Sequence, residues 1–66
     1  MPTAGPTLRR ERRLADITTV ALAKEIGISR ATLYTLERAA VVSPEQVAAH
    51  RAAVKTLRDG KTEDAA

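Results

Sequence analysis

Apolar positions along this chain recur at intervals of three and four, in short runs bounded by Gly, Pro, Ser and Thr, and that spacing predicts helices rather than strands. In the first run Leu8, Arg12 and Ala15 share one face, with Thr7 as cap and Asp16 at the end, which predicts a helix over about 7–15. Thr18 caps a second helix over about 19–26, with Val20, Leu22, Ala23 and Ile26 as its inward face. Gly27 stops that helix, because glycine enters the left-handed region without a steric penalty. Ile28 bridges to a third helix, capped by Ser29 and held by Leu33 and Leu36, that runs over about 30–39. After a short connection at 40–43, Ser43-Pro44-Glu45-Gln46 supplies a cap, a proline at the first helical position and an amide three residues past the cap. Val47, His50, Val54 and Leu57 then form a stripe that can close over the first three helices, across about 44–58, and Arg58-Asp59-Gly60-Lys61 reads as the stop.

The flanks read differently. Residues 1–6 combine Pro and Gly with small side chains and are expected to be a flexible arm; residues 59–66 are polar and expected to be a flexible tail. One domain over 7–58 remains. It has no Phe or Trp and a single Tyr, so its core must rest on Leu, Ile, Val and Ala, which suits short, closely packed helices. The expected fold is all-α, a compact bundle of four helices, or five.

Charge and chemistry narrow the function. Residues 1–42 carry seven Lys/Arg against four Asp/Glu, a net of +3, while residues 43–66 carry four against four, a net of 0. A basic N-terminal two-thirds favours a polyanionic partner. With no cysteine and one histidine, neither a metal site nor any other cofactor is expected. No nucleophile–base pair or Gly-rich phosphate loop suggests an enzyme. No apolar run approaches the ~20 residues of a membrane span, and the start lacks the apolar centre of a signal peptide, so a cytoplasmic location and no membrane partner are expected.

The segment TVALAKEIGISRATLYTLER, residues 19–38, carries the functional signal. Ala23 is small where two steeply crossing helices touch, Gly27 makes the turn, and Ile28, Leu33 and Leu36 lock the second helix onto the first. Together with Ile17-Thr18-Thr19, Leu22-Ala23, Gly27-Ile28-Ser29 and Leu36-Glu37-Arg38, it resembles the DNA-binding helix-turn-helix of the Cro/C1-type (XRE-like) repressors, over about residues 8–58. Departures are Ala15, Asp16 and Thr19, where many members carry a larger apolar residue, Gly and Gln.

The resemblance implies that the helix at 29–38 enters the major groove, with Ser29, Arg30, Ala31, Tyr34, Thr35 and Arg38 outward. Arg30, Ala31, Tyr34 and Thr35 are then candidate base contacts, Arg30 foremost because its fork matches both major-groove acceptors of guanine, with packing against sugar or donation of its hydroxyl to phosphate as the other roles open to Tyr34. Thr18, Thr19, Ser29, Arg38, Arg9 and Arg13 are candidate phosphate contacts. On an ordinary helix Arg30 and Arg38 would be solvated charges, Arg9 and Arg13 would serve solubility, and Tyr34 would pad a protein interface. His50, on the apolar stripe, is expected to be a packed core residue. The resemblance also implies an architectural ion pair between Arg12 and Glu37; otherwise Arg12 belongs to the solvated basic run 9–13. The implied partner is operator DNA bound by two copies, paired before or on the duplex, with no small-molecule ligand. The implied function is a Cro-like phage or prophage repressor. The alternatives are an accessory protein of recombination or a protein-interaction module such as an antitoxin or anti-repressor.

Overall fold

A computed structural model of the chain describes residues 2–65, with side chains to residue 60; Met1 of the expected arm, Ala66 and the side chains of the tail at 61–66 lie outside this set. Four helices follow in order: α1 (Gly5–Leu14), α2 (Thr19–Ile26), α3 (Arg30–Leu36) and α4 (Pro44–Ala65). Among the described residues the only extended pairing is an isolated antiparallel bridge between Thr3 and Val42. The fold is an all-α bundle in which α4 packs across α1 and α2, and α2 packs on α3. No helix among the described residues is long and apolar enough to cross a membrane.

Local chemistry sets most boundaries. Thr18 accepts the Ala21 N–H at 3.1 Å, Ser29 accepts that of Thr32 at 3.1 Å, and Ser43 accepts that of Gln46 at 3.2 Å, so each hydroxyl satisfies a donor that the helix itself leaves free. Gly27 ends α2 at φ 90°, and its N–H and that of Ile28 both bond the Ala23 carbonyl. α1 ends in the same manner without glycine. Asp16 takes φ 58° and bonds Arg13, while Ile17 bonds Arg12, the paired bonds of a left-handed helix stop. Asp is among the few residues that tolerate this region, which accounts for its place where Gly is common.

Four expectations need correction. α1 starts at Gly5 rather than Thr7, capped by the extended Ala4 with no side-chain bond and with Pro6 in its first turn, where a missing N–H costs nothing. The reason is tertiary: the Gly5 N–H bonds Ala39 at 2.8 Å and the Val42 N–H bonds Thr3 at 2.9 Å, which ties this end of the chain to the connection after α3. A Cβ at Gly5 would stand 2.6 Å from the Glu37 carbonyl carbon and 2.8 Å from the Ala39 nitrogen, so only glycine permits the approach. α3 ends at Leu36, not Ala39, because Arg38 and Ala39 turn back to the carbonyls three residues earlier. α4 continues past residue 58, since Gly60 does not enter the left-handed region. Val20 is 54% exposed, as it lies well round the helix from the buried Leu22.

The core has two parts. Ile17, Leu22, Ala23, Leu33, Ala53 and Val54 form the larger cluster and Leu8, Val42 and Val47 the smaller. Arg12, Glu37 and His50 are buried too, each on an element that serves both clusters. Leu8 and Ala15 flank Arg12, Leu33 and Leu36 precede Glu37, and Val47 and Val54 flank His50.

Candidate nucleic-acid interface

The helix-turn-helix is built so that α3 shows one side to solvent. Leu33 is fully buried and Leu36 half-buried, while Ser29, Arg30, Ala31, Tyr34, Thr35 and Arg38 are all exposed. Arg30 stands at the first helical position, and among the described residues nothing holds its side chain. Thr35 donates its hydroxyl to the Ala31 carbonyl at 3.0 Å, which turns that proton inward and leaves the methyl and lone pairs for a ligand. The Ser29 hydroxyl is engaged by the cap and by Thr32 Oγ1 at 2.9 Å, so its first role is to start the helix. Thr18 likewise caps α2 but retains its own O–H, and Thr19 beside it is half-buried.

At the other end of α3 two candidates are joined that the sequence reading kept apart. Arg38 Nη1 donates to the Tyr34 phenol oxygen at 3.0 Å, and its guanidinium carbon lies 5.0 Å from the ring centroid. This pair borders a concavity lined by Arg9, Arg12, Thr19, Tyr34, Glu37 and Arg38, so α1, the start of α2 and the end of α3 share one surface. Arg13 does not line it; with Arg10 and Leu14 it occupies the next flank of α1.

Behind this surface sits the buried polar seam. Arg12 Nε donates to both Glu37 oxygens, at 3.0 and 3.2 Å, and Arg12 Nη1 donates to the Ile17 carbonyl at 2.9 Å. His50 Nε2 lies 2.8 Å from Glu37 Oε2, while His50 Nδ1 has no partner. The tautomer with the proton on Nε2 fits, because it gives Glu37 a second donor and leaves no buried N–H unmatched. One carboxylate thus connects α1, the α1–α2 turn, the end of α3 and α4. His50 does more than pack. The available signal was its polarity on an apolar stripe, which demands a buried partner, but its separation of 13 residues from Glu37 hid which one. A second link from α1 to α4 is exposed: Arg51 donates to both Glu11 oxygens at 3.1 and 2.9 Å, and this hydrogen bond, then the charge of Glu11, raises the Arg51 pKa above its ordinary value.

Two capped helices joined through a left-handed glycine, the second with its polar side open to solvent, define a DNA-binding helix-turn-helix protein. The chain belongs to the helix-turn-helix domain family, a group of XRE-like DNA-binding domains, whose model matches residues 4–60. No curated protein and no solved structure matches the chain.

Proposed function

We propose that this domain is a sequence-specific transcription regulator of double-stranded DNA, a Cro-like phage or prophage repressor that acts by occupying its operator. The observation that carries the reading is the unobstructed outer face of α3, with Arg30 free at its start and Ala31 and Thr35 beside it. N-terminal residues of a recognition helix are the ones that reach base edges, so Arg30 reads guanine, and Ala31 and the Thr35 methyl meet thymine methyls. Thr18 and Thr19 at the start of α2, Ser29, and Arg9, Arg13 and Arg38 hold phosphates and set orientation. A domain this small covers little DNA, so two copies on half-sites about one helical turn apart, ~34–36 Å, supply the affinity an operator needs.

The test is selection from random-sequence duplexes at two salt concentrations, with Arg30→Ala beside the native protein. One enriched sequence is expected, weakened by salt with a log–log slope of about −0.9 per phosphate neutralised. Arg30→Ala should relax one base position at a cost of about 1–3 kcal/mol. Binding without salt dependence or sequence preference would overturn the reading and favour a protein-interaction module.

A further inference from the structure

We propose that Tyr34 and Arg38 form one phosphate clamp at the end of α3, so that Tyr34 contacts the DNA backbone rather than a base. The inference rests on the DNA-binding reading above and assigns one of its contacts. The geometry begins with the bond from Arg38 Nη1 to the Tyr34 oxygen, 3.0 Å long across one helical turn. By accepting it, the phenol oxygen spends a lone pair and its own O–H must point elsewhere; the bond also polarises that O–H and strengthens it as a donor. Arg38 keeps its Nε and Nη2 donors. Stacked at 5.0 Å over the ring, it loses little further freedom when an anion arrives, because ring and guanidinium already restrain each other.

Charge around the pair points the same way. The concavity it borders is lined by Arg9, Arg12 and Arg38 and by a single carboxylate, Glu37. That carboxylate is 3% exposed and already receives Arg12 and His50, so none of its charge is left for Arg9 or Arg38. Two exposed guanidinium groups therefore face one hollow without a counter-charge from its lining, and an anion completes it. The hollow adjoins the outward side of α3 and includes Thr19 at the start of α2, so the anion that reaches it is a phosphate of the duplex read by Arg30.

The test is binding of the full chain to its selected duplex and to random-sequence duplex, across a salt series, for native protein, Tyr34→Phe, Arg38→Met and the double variant. Tyr34→Phe keeps the ring and removes only the hydroxyl, so its melting temperature should match the native one. The expected result is about tenfold weaker binding for Tyr34→Phe on both duplexes, the loss of one charge-assisted hydrogen bond. Base preference should stay unchanged. Arg38→Met should flatten the salt slope by about 0.9, and the double variant should bind much more tightly than the product of the two single losses requires. Altered base preference in Tyr34→Phe, native-like binding by it, or losses that simply multiply would overturn the clamp while leaving the DNA reading intact. A native protein that binds neither duplex would overturn both. Tyr34 is the only aromatic residue of the chain, so tyrosine fluorescence reports on this site alone and should change with duplex for the native protein.

Discussion

The buried seam and the outer face of α3 each hold an arginine beside a partner, yet the two arginines do opposite work. Arg12, 8% exposed, spends its donors inward on Glu37 and the Ile17 carbonyl. Arg38 is exposed and spends one donor on Tyr34, with the rest facing solvent. The difference is set by desolvation. A charge removed from water must have its donors and acceptors matched within the protein, so it becomes architecture. A charge left in water keeps donors in reserve, so it becomes a contact for something else. Residue type says nothing of this; position relative to the two apolar clusters decides it.

The sharpest test of the contrast is Arg12→Ala. It leaves the buried Glu37 carboxylate with His50 alone and should cost about 3–5 kcal/mol of stability. For a domain this size, each kcal/mol lowers the melting temperature by about 4–8 °C, a shift readily followed by circular dichroism. Arg30→Ala, on the exposed face, should leave melting within about 0.5 kcal/mol of native while relaxing DNA selectivity. Equal melting of the two variants would break the comparison.

A smaller effect of unusual sign is expected at Gly5. Glycine to alanine inside a helix ordinarily stabilises by about 0.5–1 kcal/mol. Here the new methyl meets the backbone of Glu37 and Ala39, so Gly5→Ala should destabilise by about 1–3 kcal/mol in urea unfolding. A stabilised variant would show that the approach of α1 to the end of α3 is looser than 2.6 Å implies.

The smallest effect belongs to Glu11→Ala. Its partner Arg51 is half-exposed, water screens the pair, and no resolvable change in melting is expected. The raised Arg51 pKa does not change that. A cation whose folded pKa is raised contributes its stability in full below the unfolded value, already strongly alkaline for arginine, and loses it only as pH climbs through the still higher folded value. Working pH lies well below this window, so the pair should add no pH dependence. A clear melting shift between pH 6 and 9 that Glu11→Ala abolishes would contradict this.

What the sequence made legible follows the same division between local and tertiary causes. The starts of α2, α3 and α4 and the stop at Gly27 are written in single side chains, Thr18, Ser29, Ser43 and Gly27, that act on neighbours within a turn. The exposed face of α3 follows from the burial of Leu33. The start of α1 was misread because Gly5 and Thr3 act through residues more than 30 positions away, and small residues carry no periodic signal of that kind. His50 and the Tyr34–Arg38 pair were only half legible. The sequence shows that each is polar and where it lies on its helix, but the partner depends on how helices cross.

The bond from Gly5 to Ala39 also bears on the order in which this domain comes apart. The start of α1, the connection at 39–42 and the start of α4 share the small cluster of Leu8, Val42 and Val47, whereas α2, Leu33 and later α4 share the larger one. A segment held by fewer apolar contacts opens at lower free energy than the rest. Opening it would release the turn that follows α3, which bears Arg38, while the caps and Leu33 keep the first turn of α3 in place. Duplex that grips Arg38 would therefore hold closed a backbone region that it need not touch, and the amide protons of Gly5 and Val42 would exchange more slowly on DNA.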